Sequence, residues 1–374
     1  MTAFGIYVHV PFCAARCGYC DFNTYTPAEL GGATPDGYLA GLRTELRLAG
    51  AALGSPPPVD TVFVGGGTPS LLGADGLKAV LDAIRAHFDV APDAEVTTEA
   101  NPESTSPRFF AELRDVGFTR VSLGMQSTAA HVLAVLDRVH SPGRALDAAR
   151  EARAAGFEHV NLDLIYGTPG ESDDDLLGSV EAAVDAGVDH VSGYALVVED
   201  GTAMARRVRR GELATPDNDE LAHRYELLDA RLSAAGFDWY EVSNWCRPGG
   251  ECRHNIGYWN GGQWWGAGPG AHGYIGATRW WNVKHPNTYA QVLAEGRLPV
   301  ADYEQLDAVA RHTEDVMLGV RLRDGLPMTL LGEAERRRAA TVVEDGLAIM
   351  RSDRLVLTDR GRLLADAVVR TLLD

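Results

Sequence analysis

Through its first two-thirds, the chain alternates short β-branched or apolar runs with longer stretches of helical periodicity. The runs "FGIYVHV" (4–10), "DTVFVG" (60–65), "AEVTTEA" (94–100) and "TRVSLG" (119–124) read as strands. Three more follow at "HVNLDLIYG" (159–167), "DHVSGYAL" (189–196) and "FDWYEVS" (237–243). The intervening helices carry their own punctuation. Thr34-Pro35, Ser106-Pro107 and Ser141-Pro142 each read as an N-cap followed by proline at the first helical position. Gly117 and Gly156 read as C-terminal stops. Strand–helix repeats of this length imply parallel strands joined by right-handed crossovers. The predicted fold is α/β: an open or partial (β/α) barrel of six or seven units, with its site at the C-terminal ends of the strands.

The pattern changes after about residue 237. All seven tryptophans fall between Trp239 and Trp281, interleaved with glycine. From about residue 303 the chain reads as helices followed by a short strand, a turn, a strand and a helix. That order predicts a mainly helical, winged-helix-like appendage whose acidic and basic residues roughly balance, which weakens a DNA-binding reading. The expected division is a core barrel over 1–236, a Trp/Gly-rich segment over 237–302 and the appendage over 303–374.

Composition narrows the classes. The chain has 374 residues, 45% of them hydrophobic, enough for a full-sized core. No apolar run approaches the roughly 20 residues of a membrane helix, and "MTAFGIYVHV" lacks the basic and long apolar regions of a secretory signal. The expected location is the cytoplasm, where clustered cysteines point to metal or redox chemistry. A net charge of −18 argues against nucleic-acid binding.

Three of the five cysteines, Cys13, Cys17 and Cys20, lie within eight residues in "VHVPFCAARCGYCDFNTY" (8–25). Three thiolates on one loop after the first strand can hold three corners of a [4Fe–4S] cube. Zinc would want a fourth nearby ligand, for which Asp21 or His9 could serve. Buried cysteines of no special chemistry are a further alternative. An iron without a protein thiolate is open to a chelating ligand.

The segment "YVHVPFCAARCGYCDF" resembles the cluster loop of radical S-adenosylmethionine (SAM) enzymes. It is most similar to the branch that contains oxygen-independent coproporphyrinogen III dehydrogenase and its heme-chaperone relatives. "GGGTPSLL", "TTEANPES", "RVSLGMQS", "LDRVHS", "NLDLIYGTPGES" and "YEVSNW…CRHNIGYW" carry the resemblance through nearly the whole chain. It implies that SAM chelates the open iron through its amino and carboxylate groups, and that reduction cleaves SAM to methionine and a 5′-deoxyadenosyl radical. The SAM contacts it implies are Gly66, Gly67 and Thr68 of "GGGT", where backbone can approach a ligand closely. With them come Glu99, which closes the third strand, Gln126, which follows the fourth, Arg138 and Asp163, and Tyr7 and Tyr19 near the cluster. Either carboxylate could instead cap a helix or pair with an arginine.

Three features lean toward the heme-chaperone side of the branch. Phe22 stands where the dehydrogenases carry a further cysteine. The cluster loop starts twelve residues into the chain, short of the dehydrogenases' N-terminal extension. "HNIGYW" (254–259) matches the HNxxYW signature of the chaperones. The implied function is binding of heme and a SAM-ligated cluster, with heme passed to an acceptor protein, such as a membrane-associated one. His254 is the expected heme ligand, the tryptophans with Tyr258 and Tyr274 offer flat apolar faces, and His272 is a second candidate ligand. Cys246 and Cys252 lack a C-x-x-C-H heme-attachment spacing and are expected to be non-ligands. "ARRVRRG" (205–211) could meet heme propionates or an acidic partner, or be a solvated helix face. Coproporphyrinogen decarboxylation, or a methyltransferase or other tailoring activity, are the enzymatic alternatives.

Overall fold

The computed structural model describes residues 3–138 and 140–374. Six parallel strands run in sequence order: β1 (Phe4–Val10), β2 (Val59–Gly66), β3 (Val90–Ala100), β4 (Arg120–Gln126), β5 (His159–Tyr166) and β6 (His190–Ala195). Helices connect them: α1 (Pro35–Leu53), α2 (Gly73–Arg85), α3 (Pro107–Val116), α4 (Ala130–Val135), α5 (Arg144–Ala154) and α6 (Asp173–Asp185). Two more, α7 (Ala203–Arg209) and α8 (Asn218–Ala234), lead out of β6. The sheet does not close on itself. Past β6 lie the antiparallel β8 (Asn244–Cys246) and β7 (Asp238–Glu241). Past β1 lie β9 (Gln263–Ala267), β10 (His272–Ile275), β11 (Thr278–Asn282) and β12 (Val300–Gln305).

The predicted Trp/Gly-rich segment is therefore not one body. Its first strands extend one edge of the sheet and its last strands the other. Between them, α9 (Arg253–Trp259) crosses the opening. The strip ends with α10 (Pro286–Ala294) and β12, which carries the sheet to Gln305, past the expected boundary at 303. Beyond it, α11 (Ala308–Gly319), α12 (Glu333–Glu344), α13 (Asp359–Leu363) and α14 (Ala365–Leu373) surround a small sheet. That sheet is β13 (Leu326–Pro327), β15 (Arg354–Leu357) and β14 (Ala348–Arg351), with its own core around Val316, Leu355 and Val368. Helices enclosing a short antiparallel hairpin give the expected winged-helix-like order.

The caps explain where the helices start. Thr34 accepts from the Gly37 N–H and Ser106 from the Phe109 N–H, as read from the sequence. Ser141 does not cap. The chain turns once more through Gly143, at φ 78°, and α5 begins at Arg144. Along the strands, alternate residues serve different faces. Ile6, Val8, Val62, Val64, Val121, Leu123, Val160, Leu162 and Val191 are fully buried in the core shared with the helices. The opposite positions are mostly polar or glycine, with Phe63 among them, and they line the interior of the arc.

Glu45 of α1 ties the added strands to the barrel. It is fully buried, and among the described residues no cation pairs with it. It accepts from Tyr289 Oη (2.5 Å), Asn282 Nδ2 (2.7 Å) and the Gly268 N–H (2.8 Å). Burial outweighs these hydrogen bonds and raises its pKa to about 7. Between the ordinary glutamate value and about 7 the folded chain keeps a proton that the unfolded chain has lost. Stability should therefore fall as pH rises through that window, by at most about 1.4 kcal/mol per pH unit, and level off above it. Because the likewise raised Glu99 and Asp163 act in the same direction, denaturation across pH 4.5–8 should show stability falling more steeply in wild type than in Glu45→Gln, the difference in slope vanishing above about pH 7.

Candidate cluster and cofactor site

The cysteine loop leaves the C-terminal end of β1 and is held on both arms. The Cys13 N–H donates to the Tyr25 carbonyl (3.1 Å) and the Tyr25 N–H to that of Pro11 (2.8 Å). On the other arm the Gly18 N–H meets the Leu136 carbonyl (3.1 Å), and the Gly18 carbonyl accepts from the Met204 N–H (2.8 Å). A side chain at Gly18 would collide with the Asp137 carboxylate.

The end of β2 locks against this loop. The Gly67 and Thr68 N–H groups donate to the Val10 and Phe12 carbonyls, each at 2.7 Å. A Cβ on Gly67 would lie 2.5 Å from the Phe12 oxygen, and one on Gly66, at φ 109°, 2.6 Å from the His9 ring. The Gly66 N–H donates to Glu99 Oε2 (2.8 Å). The glycines thus serve a close approach, but to the cysteine loop. The N–H groups of residues 66–68 are all engaged within the protein.

Thr68 Oγ1 donates to Cys13 Sγ and Arg138 Nη1 to Cys17 Sγ, both at 3.6 Å. Burial raises the Cys13 thiol and pushes Cys20 up to about 11, which favours their protonated forms. Binding iron would release them. Among the described residues no three His, Cys, Asp or Glu side chains converge on one metal ion. His9 gives one ring nitrogen to the Tyr7 hydroxyl (3.0 Å) and the other to the Asn23 carbonyl (2.9 Å). The loop is therefore not arranged as a single-ion zinc site. A cube suits it better, since each thiolate there binds a different iron.

Around the loop the strand ends bring a polar set together. Glu99 is raised to about 8 by burial and by the neighbouring Asp163. Asp163 is itself raised by burial, against hydrogen bonds from Ser122 (3.1 Å) and Asn161 (2.8 Å) and the charge of Arg138. Arg138 Nη2 donates to the Gly124 carbonyl (3.0 Å), while its Nε is buried without a partner. Gln126 sits past a bulge in β4 at φ 67°, a conformation rare for a side-chain-bearing residue and common at functional sites. Tyr19 packs on the cluster of Val132, Leu136, Ile165 and Met204, beside Cys17 and Arg138. Tyr7 neighbours Glu99. Seven of the nine residues expected around SAM lie at the strand-end side of the barrel or in the loops it carries, while Tyr7 and Asp163 stand mid-strand on the wall of the interior cavity. A buried carboxylate pair and an unpartnered guanidinium N–H suit a ligand with both an ammonium and a carboxylate.

Below them is a cavity of about 150 Å³ within the arc. Ser122, Asn161, Ser192, His190, Tyr194 and Tyr240 line it and were not singled out from the sequence. Their signal was present in the polar alternate positions of "RVSLG" and "HVNLDLIY". A sheet with helices on one face and a dry core on the other would not need such positions.

His254 lies at the opposite end from the cysteines. Nδ1 meets Thr61 Oγ1 (2.8 Å), Nε2 meets the Tyr258 hydroxyl (2.8 Å), and its N–H donates to Glu95 Oε1 (3.0 Å). Its exposure is 3%, and burial lowers its pKa to about 4. Glu95 also pairs with the buried Arg120 (3.0 Å), which donates to the Gly250 and Glu251 carbonyls (both 2.9 Å). This network closes the floor of the barrel. As folded, both ring nitrogens of His254 are hydrogen-bonded and the HNIGYW helix lies across the floor, so heme ligation by His254 would first have to displace Thr61 or Tyr258. Cys246 and Cys252 are buried thiols, both pushed up to about 12 by burial, and Cys252 Sγ touches Glu95 (3.5 Å). The arginines of 205–211 are met locally by Asp137, Asp200, Glu212 and backbone carbonyls, which makes that stretch a solvated face.

Residues 7–183 match the Radical SAM superfamily. Heme chaperone HemW of Mycobacterium tuberculosis (strain ATCC 25618 / H37Rv) is 75% identical over 370 residues, 99% of this chain and 95% of that protein. The chain belongs to the HemW family of radical SAM proteins. Heme chaperone HemW of Escherichia coli (strain K12) is 32% identical, across 98% of this chain and 97% of its own. The fold is that of coproporphyrinogen III oxidase (HemN) from Escherichia coli, at a TM-score of 0.84 and 22% identity, covering 99% of this chain and 90% of the other. Among the described residues no helix is long and apolar enough to cross a membrane. For this HemW-family chain, anaerobic reconstitution should load about four irons. Cys13→Ala, Cys17→Ala and Cys20→Ala should each lose most of that iron and the thiolate-to-iron absorption, whereas Cys246→Ala should keep both.

Proposed function

We propose that this chain is a cytoplasmic heme chaperone that binds heme beside a SAM-ligated [4Fe–4S] cluster and passes the heme to an acceptor protein, such as a membrane-associated one. The observation that carries the reading is near-full-length identity of 75% to a protein named heme chaperone HemW. The geometry of the barrel mouth supports the cofactor part.

Cys13, Cys17 and Cys20 would each hold one iron, leaving the fourth to the amino and carboxylate groups of SAM. When bound, the pair supplies one-electron chemistry at the barrel mouth. The chain's own contribution is positional. Arg138 keeps a guanidinium N–H available for a carboxylate. Glu99 and Asp163 offer buried carboxylates to an ammonium or sulfonium, and an arriving cation would draw Glu99 into its ionised form. Tyr7 and Tyr19 exclude water on either side. Gly66, Gly67 and Thr68 hold the cysteine loop in register, and Gln126 places its amide at the lip of β4. Cluster and SAM would then govern heme transfer rather than turn over a porphyrin substrate. Phe22, 59% exposed beside Cys20, supports this, because it stands where the decarboxylating relatives carry a further cysteine.

The test is an anaerobic titration of the cluster-loaded chain with heme, run beside an assay with coproporphyrinogen III, SAM and a one-electron reductant. The expected result is saturation near one heme per chain with the porphyrinogen propionates intact. A decarboxylated porphyrinogen appearing together with 5′-deoxyadenosine would establish the enzymatic alternative instead.

A further inference from the structure

With His254 committed to the floor, a heme-binding chain needs its iron ligand elsewhere. Most histidines already have partners. His9, His190 and His254 use both ring nitrogens. His131, His159, His223 and His312 face Asp175, Asp189, Asp173 and Glu335. His285 caps α10 through Nδ1. Three remain without a side-chain hydrogen bond among the described residues: His87, His140 and His272. His87 is exposed just beyond α2 and has no aromatic neighbour. His140 is half-buried, with Nδ1 sealed away from solvent. His272 is exposed, and its ring stacks on Trp281 with centroids 5.8 Å apart and planes at 27°.

The sheet register shows which way His272 faces. Tyr274 pairs with Trp264, Trp264 with Gly5, and His272 with Trp281. Paired residues share a face, as do residues two apart on one strand. His272, Tyr274, Trp264 and Trp281 are therefore on the face of the sheet that also carries Tyr7 and lines the barrel interior. Trp264 touches Tyr258 of the cavity wall at 4.5 Å and Tyr274 at 5.6 Å. An aromatic surface thus runs from the cavity out to an exposed imidazole. A flat apolar macrocycle with a central metal matches both parts of it.

Charge and position agree with that ligand. Lys284 is exposed, has no acidic partner among the described residues, and is close enough to act on His272, as is Arg279. Arg279 is already bound by Glu304 (2.8 Å) and Glu314 (2.7 Å), so Lys284 is the cation left for a propionate. This platform also touches the cluster loop. Asn23, three residues after Cys20, donates to the carbonyls of Pro269 (3.0 Å) and Lys284 (2.9 Å). A side chain at Gly268 or Gly270 would collide with His9 or Asn23. The platform therefore runs from Trp264 and Tyr258 at the floor up to the segment that Asn23 holds beside the cluster loop.

We propose that His272 is the axial ligand of heme in this chain, with heme seated on the aromatic face of β9–β11 and a propionate on Lys284. The assignment rests on the heme-binding reading above.

The test follows the Soret band during heme titration of cluster-loaded wild type, His272→Ala, His140→Ala and Lys284→Glu, with His87→Ala as control. His272→Ala should bind heme at least roughly tenfold more weakly, the scale on which metal sites lose affinity when even a supporting contact is removed. It should also shift the Soret band, and added imidazole should restore the wild-type spectrum. Lys284→Glu should weaken binding without shifting the band, and His87→Ala should match wild type. A His272→Ala variant that binds heme with unchanged affinity and spectrum overturns the assignment. So does loss of the wild-type spectrum in His140→Ala alone. Absence of saturable heme binding by the wild type defeats the heme reading itself, and the site with it.

Discussion

The close contact between the end of β2 and the cysteine loop is the constraint on which the rest of the molecule depends. A loop with three thiols has no fixed shape of its own. Here Gly67 and Thr68 donate to the backbone of Val10 and Phe12, with no room for a Cβ at Gly66 or Gly67. That contact places Thr68 on the Cys13 sulfur, and the anchor of Gly18 on Leu136 brings Arg138 to the Cys17 sulfur. The cluster loop is therefore part of the barrel's backbone bonding. Its cysteines hold still because strands β1 and β2 do.

The two ends of the arc have different jobs. At the C-terminal ends of the strands are thiols, an unpartnered arginine N–H and two carboxylates held against their charged forms. These groups have unmet needs, and bound cofactors can meet them. At the N-terminal ends most strong donors are answered, although Arg120 Nη1 is buried without a partner among the described residues. Glu95 takes Arg120 and the backbone of α9, and His254 bridges Thr61 and Tyr258. A buried ion pair with this many hydrogen bonds is costly to break and gives a tight seal. The floor groups are committed to one another, while the groups suited to a cofactor stand toward the mouth.

Much of this was legible in the sequence. Every core strand from β1 to β6 begins and ends within a few residues of its apolar run, because alternation and turn residues act locally. Thr34 and Ser106 cap where they should. Ser141 does not, because the proline after it is followed by Gly143, whose left-handed conformation allows another turn before the helix. The nine residues expected around SAM came from the family resemblance; what the local pattern made legible is that Glu99, Gln126 and the turn at 66–68 stand at the same ends of their strands. The HNIGYW segment could not be read this way. It sits after β8, and nothing local says to which end of the barrel α9 returns. That depends on Glu95 and Thr61, more than 150 residues earlier. The Trp/Gly-rich stretch misled for the same reason, since strands adjacent in the chain joined opposite edges of the sheet.

The central claim is that the three-cysteine loop leaves one iron open and that the polar groups at the strand ends present SAM to it. Electron–nuclear double resonance on the reduced cluster, with SAM labelled at its amino nitrogen and carboxylate oxygen, tests this most directly. The account predicts hyperfine coupling from both labels to the cluster, with the nitrogen and oxygen signals weakened in Arg138→Ala. A reduced cluster whose spectrum shows no coupling to either label in the wild type would contradict it.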